Sequence, residues 1–312
     1  MIGPAPIMPE AGPGCEFFAP PFWGRTPVRQ TIGRNAAPVR SVSGRMGFSD
    51  LAPDLQSAHH TFVRTACGCA EIAGREPAAC DAGETRRTAV FLTLGQSQAA
   101  NSGETLFAPP ERVFNLNPFD GRLYGARDPL LGCTDEGGNF ASRLGHLLVR
   151  ERGWASVVLL PIGVGGSAIA EWSAGGVHHH RLAAAAASLR VAGLTATAVL
   201  WAQGEADAVP GADGERYRLN LLQIVRTLRS LGIAAPVFVA VSTFCSPPSD
   251  GNAAIRAAQR AAVAPADGIF AGPDTDRLGI AYRFDYCHFN DEGLWAVARM
   301  WADTLSARLR PD

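Results

Sequence analysis

The sequence predicts an α/β fold: a three-layer α/β/α sandwich around a mostly five-stranded parallel sheet. Three observations predict it. Short apolar runs recur from residue 88 onward. Stretches of helical period separate them. The runs are apolar throughout instead of alternating with polar residues, as parallel strands covered on both faces are.

The first run, TAVFLTL from Thr88 to Leu94, is bounded by Gly95 and reads as a buried strand. A long loop with Pro109, Pro110, Pro118 and Pro129 follows, and residues 139–152 read as a helix. Residues 155–163 (ASVVLLPIG) form the second strand, and an alanine-rich helix covers 179–192. TATAVLWA, 195–202, is the third strand. Residues 213–231 carry Tyr217, Leu221, Leu222, Val225 and Leu228 at helical spacing. PVFVAVS, 236–242, is the fourth strand, 250–264 a helix and 268–271 a short fifth strand. The closing helix, 290–309, aligns Leu294, Val297, Ala298, Trp301 and Leu305 on one face. These elements place a catalytic-type domain at 88–312. Residues 1–87, rich in Pro, Gly and Arg, read as an irregular extension of unknown role, made of loops and short strands that either wrap on the neighbouring domain, form a small β-rich module or are partly disordered.

Composition narrows the chemistry. The chain has 28 basic and 29 acidic residues, and every basic one is arginine. The absence of lysine excludes a Walker A loop, Schiff-base catalysis and Ser-x-x-Lys acyl enzymes. Near-neutral charge gives no electrostatic footprint for nucleic acid. No apolar run reaches the roughly 18 residues of a membrane span. The N-terminus shows neither a basic n-region nor a continuous apolar core, so the expectation is a cytoplasmic protein, or an exported one if the start is a mature or misplaced end.

Seven cysteines cannot all pair. Cys67, Cys69 and Cys80 lie near His59 and His60, but their spacing does not match the usual zinc pairs. A local disulfide or free thiols is the expectation there, and no metal. His178 to His180 read as a solvated helix start.

Ligands of parallel sheets bind beyond the carboxyl ends of the strands. The first strand ends in Gly95-Gln96-Ser97-Gln98, which lifts a serine hydroxyl out of the sheet top, though a lone serine there is more often a helix cap. The second ends in GVGGSAIAEW, 163–172. Gly163, Gly165 and Ala168 fit a dinucleotide fingerprint, but no acidic residue stands about 20 positions on to bind a ribose. Its glycine N–H groups are placed instead to face a developing negative charge, or to form an ordinary turn. The third ends in WAQGEAD, 201–207, offering the amide of Gln203. Before the last helix, Asp285 and His288 stand three residues apart, as a carboxylate that orients an imidazole or as a cap beside a surface histidine.

Together, Gly95-Gln96-Ser97-Gln98, Gly165-Gly166-Ser167-Ala168-Ile169 with Trp172, Trp201-Ala202-Gln203-Gly204-Glu205-Ala206-Asp207 and Asp285-Tyr286-Cys287-His288 resemble, in order, the blocks of the SGNH (GDSL-like) hydrolase superfamily. The set is most similar to its sialate O-acetylesterase and carbohydrate esterase family 6 branch, which includes acetylxylan esterases. Gln98 departs from the branch's asparagine. The resemblance spans 88–309 and implies a flavodoxin-like hydrolase fold. It implies a serine esterase that removes short acyl groups from carbohydrate through an acyl-serine, without a cofactor. Its implied roles are Ser97 as nucleophile, His288 as base and Asp285 as orienting acid. The oxyanion donors are Ser97, Gly165 (with Gly166 second) and Gln203. Gln96, Gln98, Trp172 and Glu205 are expected near the substrate, a small-molecule or polysaccharide ester; Trp172 reads either as a platform for a sugar or, more often at such a place, as a packing tryptophan, and Trp201 as core. Arg283 is a candidate contact for an acidic sugar, 102–137 the cleft wall, and Glu205 and Asp207 supports of the Gln203 loop. The competing readings are a broad short-chain esterase or thioesterase, an acyltransferase and a non-catalytic carbohydrate-binding protein.

Overall fold

The computed structural model describes residues 46–65, 68–78, 87–245 and 251–311. Among the described residues its sheet has eight strands: β1 (Pro77–Ala78), β2 (Thr88–Gly95), β3 (Val113–Leu116), β4 (Leu123–Gly125), β5 (Ser156–Pro161), β6 (Ala198–Ala202), β7 (Val237–Val241) and β8 (Ile269–Asp274). The order is β1-β4-β3-β5-β2-β6-β7-β8. The five strands expected from sequence are β5, β2, β6, β7 and β8, and all pair in parallel. Every residue of β2, β5, β6 and β7 is buried, which explains their unbroken apolar runs. The edge strand β8 is only intermittently buried.

Among the described residues, seven α-helices flank the sheet: α1 (Pro53–Thr65), α2 (Phe140–Glu151), α3 (Ile169–Trp172), α4 (His180–Ala192), α5 (Gly214–Ser230), α6 (Ala253–Ala261) and α7 (Asp291–Ser306). Strand β2 shows how the layers form. Its Val90, Leu92 and Leu94 enter one core with Leu182 of α4, Leu221 of α5 and Ile255 of α6. Its Ala89 and Phe91 enter the other with Leu144 of α2 and Trp301 of α7. The period of two along a strand sends alternate side chains to opposite layers. Asn139, Asp213, Asn252 and Asn290 start α2, α5, α6 and α7 by accepting from a first-turn N–H, so polar caps set the helix boundaries.

Two expectations are corrected. The segment read as irregular up to residue 87 contains α1, whose Leu55 and Phe62 are buried. Phe62 lies 4.8 Å from the Phe119 ring, under the guanidinium of Arg181. The compact unit accordingly runs from Gly44 to Asp312 and not from residue 88. The loop 102–137 contains β3, which pairs with β5 and β4, and β4, which pairs with β1, and these three strands widen the sheet from five to eight. Segments of two to four residues are too short to show a period. Among the described residues no helix is long and apolar enough to cross a membrane.

Candidate active site

Strand β2 leaves the sheet at Gly95, whose φ is +134°. A Cβ there would sit 2.0 Å from the Ala202 carbonyl oxygen, so only glycine lets the two strands part this closely. Gln96 follows and is buried. Its N–H donates to the Ala202 carbonyl at 3.0 Å. Its side-chain oxygen accepts from Ala206 N–H at 2.9 Å, Gly204 N–H at 3.2 Å and Gln203 Nε2 at 3.2 Å. Ser97 then opens a single 3-10 turn, Ser97–Ala99. Among the described residues neither its hydroxyl nor its backbone N–H has a hydrogen-bond partner.

The loop after β5 brings its glycines beside this turn. The N–H of Gly165 donates to the Thr134 hydroxyl at 2.7 Å. The N–H of Gly166 has no partner among the described residues, and its φ of +69° needs no Cβ. The order expected for these two glycines is therefore reversed: Gly166 holds the free donor. The loop after β6 is tied in by Gln203, which is fully buried. Its Nε2 faces Asp207 Oδ2 at 2.5 Å, the Ser167 carbonyl at 3.1 Å and the Gln96 oxygen at 3.2 Å, three acceptors for two hydrogens. Its carbonyl accepts from the Tyr217 hydroxyl at 2.8 Å and Gln259 Nε2 at 2.9 Å. Asp207 also takes the Ile169 N–H at 2.8 Å, and burial raises its pKa against these two donors.

The Asp285–His288 pair sits on a hairpin between β8 and α7. Arg283 and Phe289 bridge its base, and the Phe284 N–H donates to the His288 carbonyl at 3.0 Å. Tyr286 turns the tip with φ +69°, an uncommon conformation for a residue with a Cβ. Asp285 Oδ1 accepts the N–H groups of Cys287 and His288, at 3.0 and 2.7 Å, while Oδ2 holds His288 Nδ1 at 2.6 Å. This leaves Nε2 as the free ring nitrogen. Burial pulls the His288 pKa down, but the bond to Asp285 and its charge, joined by Asp135 and Glu205, outweigh it and leave the pKa above its ordinary value. Burial raises Asp285, but its hydrogen bonds and charge pairing with His288 leave it below the usual carboxylate range.

One contact joins this hairpin to the Ser97 turn, Gln98 Nε2 donating to the Cys287 carbonyl at 3.1 Å, and a second joins it to the loop that follows the turn, Glu104 N–H donating to the Phe289 carbonyl at 3.0 Å. Serine, glycine loop, amide and Asp–His pair thus gather at one end of the sheet.

The expected substrate contacts fare differently. Trp172 has no exposed surface, and its Nε1 donates to Ser167 Oγ at 2.9 Å. It cannot stack on a sugar. Trp201 stands against it, 6.1 Å away and nearly perpendicular. Glu205 is buried, with Oε1 accepting from Ser242 at 2.5 Å, and burial raises its pKa. Gln96 and Gln98 are likewise buried and spent on the loops just described. Arg283 is no contact for an acidic sugar either, because it is only 6% exposed and donates to backbone carbonyls. His178 is half-buried, and burial lowers it to about 4, so the histidine run is not a solvated helix start.

Sequence reasoning missed Asp135. Its carboxylate lies 2.8 Å from the place a Cβ of Gly165 would occupy and accepts from the Ser102 hydroxyl. It stands in the left-handed region at φ +68°. Nothing in its loop sequence signals this position. Also missed was a disulfide between Cys245 and Cys287. Cys69 and Cys133 are free thiols, whereas Cys67 and Cys80 lie outside the described residues. Among the described residues no three His, Cys, Asp or Glu side chains group as a metal site.

Comparison with known proteins adds an independent line. Residues 87–307 match the family described as carbohydrate esterase, sialic acid-specific acetylesterase. A probable carbohydrate esterase of Arabidopsis thaliana is 36% identical over 164 residues, which cover 45% of this chain and 62% of that relative, just under two thirds of its length. A solved Arabidopsis thaliana protein superposes with a TM-score of 0.56 at 22% identity, over 71% of this chain and 98% of that one. The structure of NanS gives 0.50 at 17% identity, over 70% and 95%. These two show a shared fold.

Proposed function

Because the chain belongs to the carbohydrate esterase, sialic acid-specific acetylesterase family, and is a carboxylic ester hydrolase, we propose that it removes O-acetyl groups from carbohydrate through an acyl-serine. The observation that carries this reading is the Asp285–His288 bond of 2.6 Å, on a hairpin that Gln98 couples to the Ser97 turn.

In the proposed reaction, Ser97 Oγ attacks the ester carbonyl carbon as its proton passes to His288 Nε2. Asp285 holds the imidazole tautomer and stabilises the imidazolium. The unpartnered N–H groups of Ser97 and Gly166 receive the oxyanion. Gln203 is the third donor: with three acceptors on two hydrogens, one contact exchanges for the substrate oxygen. Each such donor is worth roughly 2.7–4 kcal/mol in the transition state. The sugar alkoxide leaves with the proton from His288, acetyl-Ser97 remains, and water activated by the same imidazole releases acetate. The Ser97–His288 hydrogen bond closes with substrate in place, as such bonds often do.

The Asp135 carboxylate favours a neutral, hydroxyl-bearing sugar over an anionic one. It accepts hydroxyl protons and repels a carboxylate brought beside His288. Acetate release from acetylated neutral sugars and from acetylated sialic acid, by wild type and Asp135→Asn, tests this. Preference for the neutral set that narrows in Asp135→Asn is expected, and a wild-type preference for the sialic ester overturns it.

A further inference from the structure

Cys287 lies between the two residues of the proposed acid–base pair, and three separate elements hold it. Its sulfur is bonded to Cys245, on the loop after β7. That loop is itself fixed: Thr243 N–H and Phe244 N–H donate to the buried Asp276 carboxylate at 2.7 and 2.9 Å. Arg256 Nη1 neutralises the same carboxylate from α6 at 2.6 Å. The Cys287 carbonyl accepts twice, from Gln98 Nε2 on the Ser97 turn and from Arg283 Nη1 at the base of the hairpin.

Arg283 is an unusual donor. It is buried between the rings of Phe244 and Phe289, 4.7 and 4.5 Å from their centroids. Its remaining bonds go to the carbonyls of Leu278 and Thr275. No carboxylate lies within ion-pair distance among the described residues. A buried guanidinium that satisfies carbonyls instead of an acid works as a fixed fork of donors.

We infer that Cys287 is the positioning residue for His288, held by the Cys245 bond and by the Arg283 and Gln98 donors, so that the esterase is fully active only with the disulfide formed. The hairpin needs this restraint because its tip is half-exposed, bends through an unfavourable φ at Tyr286 and lies outside the sheet ladder. Without the sulfur bond, Cys287 keeps its carbonyl contacts and its N–H bond to Asp285 Oδ1, but the hairpin tip loses its tie to the loop after β7, and His288 Nε2 is no longer fixed relative to Ser97. Misplacement of a catalytic group by about 1 Å can cost on the order of 10²-fold in rate. Cys245 is partly accessible, so a small dithiol reaches the bond.

The inference rests on the acyl-serine reading, and the experiment separates the two. Wild type is treated with dithiothreitol, whose two thiols pass two electrons and two protons to the bond. Two protein thiols and the cyclic disulfide of the reagent result. Acetate release is measured with Cys245→Ser and Ser97→Ala in parallel, with near-UV circular dichroism reporting packing. The expected result is a kcat lower by roughly 10–100-fold at constant KM, in reduced wild type and in Cys245→Ser. The acid limb of the pH profile should also move down toward that of an unpaired histidine. Cys245→Ser should no longer respond to reductant. Reduced wild type and Cys245→Ser that stay folded with the wild-type kcat and pH profile overturn the inference. If reduction unfolds the protein, Arg283→Lys decides, because it keeps the disulfide and the charge but loses the fork. A lower kcat at constant KM supports positioning, and an unchanged kcat overturns it. An active Ser97→Ala instead overturns the mechanism on which the inference rests.

Discussion

The two walls of the cleft are held by different means. One wall, carrying Ser97, Gly166 and Gln203, grows directly out of β2, β5 and β6, which pair side by side at the centre of the sheet. Its side chains are stitched to one another: Gln96 binds three groups of the β6 loop, and Asp207 joins the β5 and β6 loops. The opposite wall is a hairpin outside the sheet, whose Asp285 and His288 side chains are 37% and 28% exposed. There a disulfide and a buried arginine take the place of the strand ladder. Buried networks are redundant and rigid but couple activity to stability. A crosslinked tip separates the two: its chemistry can be removed with the fold intact.

The largest effect expected from this contrast is at the tip. Asp285→Asn should lower kcat by about 10⁴-fold, because the imidazole loses its tautomer and the imidazolium its counter-charge. Its melting temperature should stay close to wild type. A loss under tenfold in steady-state kinetics excludes Asp285 as the orienting acid.

The sheet-side wall should behave in the opposite way. Gln203→Leu removes a proposed oxyanion donor, worth about 10²–10³ in kcat. It also leaves the Ser167 carbonyl, Gln96 oxygen and Asp207 carboxylate with fewer donors, a destabilisation of roughly 1–3 kcal/mol. Kinetics and thermal denaturation on one preparation check both. Loss of activity without loss of stability breaks the comparison.

The smallest effect is on pH dependence. The proposed base, His288, can take a proton only when neutral, and its pKa is raised, so imidazolium accumulates as pH falls below a value above 6.5. The acid limb of kcat/KM should therefore lie above 6.5. Asp135→Asn removes one of the charges that raise it and should move the limb down by a fraction of a unit. A limb that stays put shows that Asp135 does not act on the base.

Much of this was legible in the sequence, for identifiable reasons. The central strands are buried on both faces, so TAVFLTL and SVVLLP announce themselves as unbroken apolar runs. The site blocks were legible because each follows such a strand or, like Asp285 and His288, precedes a strongly amphipathic helix. What stayed hidden depends on contacts between distant segments. Helix α1 carries only two fully buried residues among polar neighbours, too few for a clear period. The choice between a sugar platform and a packing role for Trp172 stayed open in the sequence because its burial beside Trp201 and His178 is a tertiary property. The same holds for the Cys245–Cys287 pairing across 42 residues and for the approach of Asp135 to Gly165. Which glycine offers its N–H turned on the Thr134 hydroxyl, 31 residues from Gly165.

The most direct test of the account is acetate release from an acetylated neutral sugar by wild type and Ser97→Ala, with fluorophosphonate labelling followed by peptide mapping. The account predicts turnover by wild type, label on Ser97 alone and no turnover above background in Ser97→Ala. Wild-type turnover by Ser97→Ala, or label on another residue with Ser97 unmodified, contradicts it.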